Sequence, residues 1–265
     1  MKFLQDITLG QYMPVDSFVH RLDPRTKFMA LMILMIIVFF ITRPLPFLLM
    51  GLFIALIIRL SNIPIGSVMR GIVPFFWLFL FAAVAHLFFT PGRSIPPFPV
   101  GFINVTEEGL INGALVSTRI LCVIVLSSLL TLTTTPMELT TALKKALAPL
   151  RIVKAPIDDF VMMMMLTIRF VPILLLESQR IINAQKSRGI DFETGGIFSR
   201  AKKLVPILIP LFHLSFKRAD ELAVAMVCRG YVTGADRTSF KELRFAGTDF
   251  LSMAVVLLMT PFFFI

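Results

Sequence analysis

Long apolar runs separated by short polar stretches dominate this sequence and predict membrane-spanning helices. A helix needs about 20 mostly apolar residues to cross a bilayer. Five runs reach or approach that length, over residues 26–42, 45–60, 71–90, 110–132 and 250–265. Asp23 and Pro24 ahead of the first run form a helix start, because Asp is a good N-cap and Pro suits the first helical position. The pattern predicts an all-α, polytopic integral membrane protein.

The region between the fourth and fifth runs contains two segments of a different kind. Residues 160–176 and 204–216 are nearly as apolar as spans, but each is interrupted by charge or proline and continues into a charged, amphipathic stretch. This profile is typical of a long helix at the membrane face, with its apolar half in the interface. The alternative is two further spans. Arg169 argues against it, because an Arg inside the bilayer is costly.

A shorter helix is predicted ahead of these two segments. Thr135 is a good N-cap, Pro136 follows at the first helical position, and Glu138 stands three residues after the cap. This spacing is that of a capping box. The chain is therefore divided into a four-span region over residues 1–134, a region with two long amphipathic helices over 135–247, and a final span over 248–265.

The distribution of cations predicts the orientation. Of the 26 Lys and Arg residues, 17 lie between residues 136 and 247, whereas the loop 91–109 has only Arg93, against Glu107 and Glu108. The positive-inside rule then puts residues 136–247 and the N-terminus in the cytoplasm. The net charge of +10 is explained by these cytoplasmic regions rather than by nucleic acid. Four prolines in residues 91–99 predict an outer turn without regular helix.

The two amphipathic stretches end in the same pattern, Ala-x-x-x-Arg-Gly. It occupies residues 184–189 and 225–230. Arg near a helix C-terminus suits the helix dipole, and Gly just beyond it supplies a left-handed cap. One such ending is common, but two in one inter-span region predict two helices that each present a cation at the tip to a partner.

The sequence does not contain the patterns of common catalytic or cofactor sites. No Gly-x-x-x-x-Gly-Lys-Ser/Thr loop occurs, so ATP binding of the usual kind is not expected. The spans contain no metal-ligand or paired-carboxylate spacing, and no cofactor or metal is predicted. His86 is expected to be a packing or hydrogen-bonding residue. Arg119, about nine residues into its span, needs a partner or a wet cavity, and its role stays open.

Three separated motifs resemble those of a known family, the transmembrane T component of energy-coupling factor (ECF) transporters. Residues 22–27 (Leu-Asp-Pro-Arg-Thr-Lys) resemble its N-terminal signature, and Asp23, Pro24 and Arg25 are the structural motif within it. Arg-Phe-Val-Pro at 169–172 with Ala-Gln-Lys-Ser-Arg-Gly at 184–189 resembles its first coupling signature. Residues 218–231 resemble the second. The resemblance covers nearly the whole chain.

This resemblance implies a non-catalytic coupling subunit of an ATP-driven ABC importer for vitamins or metal ions. Such a subunit joins two cytoplasmic ATPases to a substrate-binding membrane protein, the S component. The family's coupling helices dock through short motifs around an Arg. The matching residues here are Ser187, Arg188 and Gly189, and Cys228, Arg229 and Gly230. The family commonly has Ala before the Arg, and Ser187 and Cys228 are likewise small.

The apolar segments at 160–176 and 204–216 are the predicted contact surface for the S component, because an exposed apolar surface of this size usually marks a binding site. The residues assigned to it are Met162, Met163, Met164, Met165, Leu208, Leu211 and Phe212. Core or lipid contact is an equally open interpretation of the methionine run.

Two other functions are weighed against a coupling subunit. A self-sufficient carrier predicts interrupted spans with polar residues near mid-bilayer in two related halves, and the sequence offers no such pair. An intramembrane enzyme would need clustered acids, histidines or a nucleophile at mid-depth. The transported substrate is not indicated by this sequence, since on the family interpretation another chain selects it.

Overall fold

The computed structural model describes residues 12–91, 94–100, 103–147, 149, 156–192, 194, 196–234 and 245–263. These ranges contain ten α-helices and one two-stranded antiparallel hairpin. The elements are α1 Phe18–Arg21, α2 Pro24–Phe40, α3 Pro44–Leu60, α4 Ile65–Ile72, α5 Phe76–Phe89, β1 Ser94–Val100, β2 Ile103–Thr106, α6 Glu107–Thr133, α7 Pro136–Ala146, α8 Ile157–Ser187, α9 Ile197–Cys228 and α10 Gly247–Met259. Apart from the hairpin, the predicted all-α membrane fold is confirmed.

Two of the predicted helix starts are present in the structure, each with its capping hydrogen bonds. Asp23 is the N-cap of α2, and its carboxylate accepts the amide N–H of Arg25 at 2.9 Å. At α7, the Glu138 N–H donates to Thr135 Oγ1, and the Thr135 N–H donates to the Glu138 carboxylate. Both hydrogen bonds of the capping box are therefore present. Short polar side chains at these positions satisfy amides that have no partner within the helix.

Two other features of the structure differ from the sequence prediction: the start of one apolar helix and the presence of a hairpin. The third apolar run begins at Ile65 rather than at residue 71, because α4 continues into α5 through a 3₁₀ segment, Val73–Phe75, that contains Pro74. The predicted outer turn is part of a hairpin in which β1 pairs with β2. Proline excludes helix there but is tolerated in an edge strand, and both strands of a two-stranded hairpin are edges. Residues 92–93 and 264–265, which belong to the predicted outer loop and last span, lie outside the described residues.

Three helices within the described ranges are long and apolar enough to cross a membrane. They are Ile65–Phe89, Glu107–Thr133 and α8, while α3 and Gly247–Phe263 are shorter apolar helices. At about 1.5 Å per residue, the 17 residues of α3 extend about 26 Å, slightly less than a hydrocarbon core of about 30 Å. The length of α8 is compatible with the alternative in which it is a further span.

The chain divides into two compact units, one formed by residues 10–142 with 241–265 and the other containing residues 143–240. In the first, which we call the membrane unit, α6 is the central helix and packs against α2, α3, α4 and α5. Gly109 permits a close approach to α5, because a Cβ there would lie 2.7 Å from the His86 carbonyl oxygen. Small residues bring membrane helices together in this way.

Two cations, the buried Lys27 and the half-buried Arg119, hold α2 and α6 together, and each donates to at least one carbonyl at the C-terminal end of the other helix. Lys27, in the first turn of α2, donates from Nζ to the carbonyls of Thr133 at 3.0 Å and His20 at 2.9 Å. Arg119 of α6 donates to the carbonyls of Val38 at 3.3 Å and Ile41 at 2.6 Å. Cations at helix C-termini satisfy free carbonyls and favour the helix dipole.

The partner that Arg119 needs is therefore the C-terminal end of α2. Its guanidinium also lies 5.9 Å from the centre of the Phe47 ring, at a cation–π distance. Lys27 is buried, and its ammonium donates only to carbonyls of the described protein chain. Burial, and secondarily the charge of Lys27, lower the pKa of His20, so its imidazole is neutral beside the ammonium at pH 7.

Helix α10 is fastened to the start of α2 through a second buried acid. Asp249 is 3% exposed; its Oδ1 accepts the Asp23 N–H at 2.8 Å, and its Oδ2 accepts the Ala246 N–H at 2.8 Å. The Arg25 guanidinium lies 5.7 Å from the centre of the Phe245 ring. The Asp-Pro-Arg motif at residues 23–25 thus joins the first long helix of the membrane unit to its last.

We expect Arg119→Met to destabilise the membrane unit more than Arg119→Lys does. Met removes both hydrogen bonds and leaves carbonyls of two residues, Val38 and Ile41, that are at most 1% exposed, whereas Lys can still donate. An unsatisfied buried polar group costs about 1–3 kcal/mol, so the midpoint of thermal unfolding in detergent should fall by several degrees. Arg59→Met, the same change at an exposed position of α3, is the control. Equal midpoints for Arg119→Met and the control would contradict the assignment.

Candidate functional site: the tips of helices α8 and α9

The first predicted tip, Ser187–Arg188–Gly189, is the C-terminal cap of α8. The helix ends at Ser187, and Arg188 is the C-cap with φ −83° and ψ 5°. Gly189 has φ +86°, the left-handed conformation that glycine adopts without strain. The Gly189 N–H donates to the Lys186 carbonyl at 3.0 Å and the Ile190 N–H to the Gln185 carbonyl at 3.1 Å. These two bonds define a Schellman motif.

The second predicted tip, Cys228–Arg229–Gly230, repeats this geometry at the end of α9. Arg229 is the C-cap with φ −90° and ψ 11°, and Gly230 has φ +73°. The Gly230 N–H donates to the Val227 carbonyl at 2.9 Å and the Tyr231 N–H to the Met226 carbonyl at 3.0 Å. The shared sequence pattern therefore specifies the same backbone twice.

All six predicted tip residues are exposed. Within the part of the chain that the structure describes, the guanidinium groups of Arg188 and Arg229 have no hydrogen bond or ion pair to another side chain. The backbone amide of each Arg is bonded to carbonyls of the preceding turn. Each tip is thus a closed helix end with a free cation, and such a cation can donate in a planar fork to carboxylates or carbonyls of a partner.

Helices α8 and α9 form an antiparallel pair, and three contacts along their length establish this direction. The Gln185 side chain near the end of α8 donates to the Pro206 carbonyl near the start of α9 at 3.3 Å. Midway, Glu177 lies 3.9 Å from Arg218. The Tyr231 hydroxyl beyond α9 donates to Asp159 in the first turn of α8 at 3.2 Å. The two arginine tips are consequently at opposite ends of the pair.

The residue after each tip glycine fastens that tip to the other helix of the pair. Ile190 packs against a buried apolar cluster of Ile182, Phe192 and Ile207, the last of which belongs to α9. At the second tip the corresponding residue is Tyr231, which bonds to Asp159 of α8. The residue after the first tip glycine is held by apolar packing and the residue after the second by a hydrogen bond, so each tip is attached to the other helix of the pair.

The predicted S-component residues lie in the apolar halves of α8 and α9. Met163, Leu208 and Phe212 are 58%, 46% and 61% exposed, while the other four (Met162, Met164, Met165 and Leu211) are half-buried. Arg169, between these residues and the polar half of α8, is exposed. The chain therefore carries a wide apolar surface in this unit.

Gln185, Glu177 and Asp159 bond α8 to α9, and no role for them is evident from the sequence. The sequence contains one indication that a donor such as Gln185 is needed. Residue 210, four positions after Pro206, is also proline, so the Pro206 carbonyl lacks its usual helical donor. His86, predicted to be a hydrogen-bonding residue, lies 3.3 Å from Thr90 Oγ1 through Nδ1. Among the described residues, no group of three or more His, Cys, Asp or Glu side chains could hold a metal ion.

We expect Gly189→Ala and Gly230→Ala to destabilise their tips and Gly189→Asn to do so less. A Cβ at either glycine meets open space, so the cost is the left-handed backbone alone, about 1–2 kcal/mol for Ala and less for Asn. Hydrogen exchange of the Ile190 and Tyr231 amides should accelerate in the Ala variants. Gly51→Ala, in open space within α3, should be neutral or stabilising. Equal exchange rates for Ala and Asn would contradict this explanation.

Comparison with known proteins places these features in a family. The family described as "Cobalt transport protein" matches residues 16–240. An energy-coupling factor transporter transmembrane protein of Ruminiclostridium cellulolyticum is 43% identical over 248 residues, which are 94% of this chain and 92% of that protein. Proteins with the same name in Streptococcus thermophilus and Bacillus subtilis are 41% and 40% identical, over 96% and 93% of this chain and 96% and 92% of theirs. The chain therefore belongs to the family of energy-coupling factor transporter transmembrane proteins, multi-pass membrane components of transporters.

Proposed function

We propose that this chain is the coupling subunit of an ATP-driven importer, and that Arg188 and Arg229 each dock with one of two cytoplasmic ATPases. The observation that carries the proposal is the pair of equivalent tips, each a closed Schellman cap with an exposed Arg. Two equal tips suit two similar partners. ATP hydrolysis then belongs to the partner subunits, and this chain transmits their movement.

The antiparallel arrangement supports two separate partners rather than one. Helices α8 and α9 have 31 and 32 residues, which corresponds to about 46–48 Å each at ~1.5 Å per residue. Because the tips lie at opposite ends of the pair, a single groove cannot receive both. A push at either tip is carried by a helix that the other helix supports through the Glu177–Arg218 and Asp159–Tyr231 contacts.

The apolar halves of α8 and α9 are the proposed surface for the substrate-binding membrane subunit. Their exposed side chains favour an apolar partner, because exposed patches of this kind mark binding sites. Arg169 supports a position at the membrane face rather than across the bilayer. It is exposed within an apolar segment and has no ion-pair partner among the described residues, and an Arg at the interface can extend into water.

The orientation belongs to the same proposal: the N-terminus and residues 136–247 lie in the cytoplasm, where the ATPases are. The cation distribution of the sequence supports it. The hairpin β1–β2 then lies on the outer side, between α5 and α6.

Reversing both tip charges should detach the ATPases without preventing membrane insertion. Glu at a docking position replaces the guanidinium N–H donors of Arg with a carboxylate, which accepts hydrogen bonds and has the opposite charge. Removing one partner of a buried charge pair costs about 2–5 kcal/mol. We therefore expect the Arg188→Glu, Arg229→Glu double variant to lose both ATPases from a tagged complex and to abolish uptake. Lys217→Glu, at an exposed position of α9 away from the tip, is the control for a charge reversal outside the docking positions and should retain both ATPases. A double variant that retains both ATPases and transports normally would end the docking proposal.

Polar substitutions on the apolar surface should release the substrate-binding subunit while the ATPases stay bound. The change is Met163→Asn with Met164→Asn and Leu208→Asn, because buried amides without partners are unfavourable in an apolar interface. Leu208→Asn alone should weaken binding more than Val224→Asn, which alters an exposed apolar residue in the polar half of the same helix. Co-purification measures both. Failure of the triple variant to insert at all would instead identify these segments as spans.

Thiol labelling of intact cells tests the orientation. In a background with Cys122→Ala and Cys228→Ala, an impermeant reagent should label Ser94→Cys on β1 directly and Ser199→Cys on α9 only after the membrane is opened. Ser94 is the first residue of β1 and Ser199 lies in the first turn of α9. Labelling of Ser199→Cys but not of Ser94→Cys in intact cells would refute the proposed orientation.

A further inference from the structure

The Gln185–Pro206 hydrogen bond joins the first tip to α9 at a point where α9 lacks a backbone donor. In a regular helix the carbonyl of residue 206 accepts the amide of residue 210. Here residue 210 is proline, which has no N–H. The Gln185 side-chain amide donates to that carbonyl at 3.3 Å. A side chain of α8 thus takes the place of a missing backbone donor in α9.

The surroundings of this bond make its loss costly. Ile182 and Ile207 are buried in an apolar cluster with Phe192; the first is one turn before Gln185, and the second directly follows Pro206. Gln185 and Pro206 are themselves half-buried. Water therefore has restricted access to the carbonyl, and a carbonyl with neither its helical donor nor water is unfavourable.

The backbone of Gln185 is also part of the first tip. Its carbonyl accepts the Arg188 N–H at 3.2 Å and the Ile190 N–H at 3.1 Å, the bond that closes the cap. One residue therefore binds Arg188 through its backbone and α9 through its side chain. The equivalent position at the second tip is Met226, whose side chain has no N–H to donate. There the link to the other helix is made by Tyr231 instead.

We infer that Gln185 is a positioning residue: its side-chain amide substitutes for the amide that Pro210 lacks and thereby fixes Arg188 relative to the proline-containing segment of α9. Its effect on transport rests on the proposed function, because it acts through the docking of Arg188. The effect of Gln185 on the geometry of the tip is independent of the proposed function. That geometry can be measured on this chain without ATPases.

The experiment is a double-mutant comparison on the full chain in lipid nanodiscs. Spin labels are attached at Lys186→Cys in the last turn of α8 and at His213→Cys on α9, both exposed positions, with Cys122 and Cys228 replaced by Ala. The distance distribution between the labels is recorded for Gln185→Met, which keeps the length of the side chain but removes its donor. Gln179→Met is the matched control, because the Gln179 side chain has no hydrogen bond to a described residue.

We expect Gln185→Met to broaden the distribution and Gln179→Met to leave it unchanged. In a Pro210→Ala background the helix supplies its own donor to the Pro206 carbonyl, so Gln185→Met should then have little effect. In the assembled transporter, Gln185→Met should keep both ATPases while uptake falls about 2- to 10-fold, the range that corresponds to losing one side chain–backbone hydrogen bond. If Gln185→Met does not fold, Gln185→Asn, which is too short to reach, makes the same comparison.

Two results would overturn the inference. One is an unchanged distance distribution in Gln185→Met. The other is equal broadening with and without Pro210→Ala, which would mean that Gln185 does not compensate for the proline. Neither result bears on the docking of Arg188 and Arg229, since ATPase retention by the charge-reversal variant is measured separately. If the docking proposal failed while Gln185→Met still broadened the distance distribution, the positioning role of Gln185 would stand.

Discussion

The membrane unit depends on two cations that satisfy helix ends inside an apolar core. Water does not reach the last carbonyls of a helix whose end is buried, so such an end needs a donor from the protein itself. Arg119 of α6 supplies that donor to α2, and Lys27 of α2 supplies it to α6. Because α6 also packs against α3, α4 and α5, fixing its position on α2 fixes the arrangement of these helices too.

The same principle explains why buried polar residues are concentrated near helix ends of this protein. Asp249 is almost fully buried, yet both of its oxygens accept backbone amides at the starts of α10 and α2. At the end of α8, the Gln185 side chain gives an amide to a carbonyl that proline has deprived of one. In each case a side chain completes the hydrogen bonding of a backbone that cannot complete it alone.

In the second unit, side chains bond α8 to α9, while other side chains of the same helices remain exposed. Glu177, Tyr231 and Gln185 join α8 to α9, whereas the tip arginines and the apolar halves of both helices remain exposed. A subunit that only packs into a membrane has no need of two closed helix ends whose arginines have no ion-pair partner among the described residues. This combination is what a coupling role requires: rigid helices, with contact surfaces at their tips and along their apolar faces.

Local sequence signals predicted the features that depend on local chemistry. The caps at Asp23 and Thr135 and the left-handed glycines at 189 and 230 follow from residues within one helical turn. The partner of Arg119 could not be predicted in this way, because the carbonyls of Val38 and Ile41 are about 80 residues away and come together only when α2 packs on α6. The hairpin was missed because its prolines exclude helix but say little about strand pairing.

The most direct test of the central claim is site-specific photo-crosslinking from the two tips in the assembled transporter. A photoreactive amino acid at Ser187 and another at Cys228, each next to the tip arginine, should each form an adduct with an ATPase subunit. The same group at Lys217 should not. If the tip positions crosslink only to lipid or to the substrate-binding subunit, or if the Lys217 position gives the ATPase adduct equally well, then Arg188 and Arg229 are not the docking points and the account is wrong.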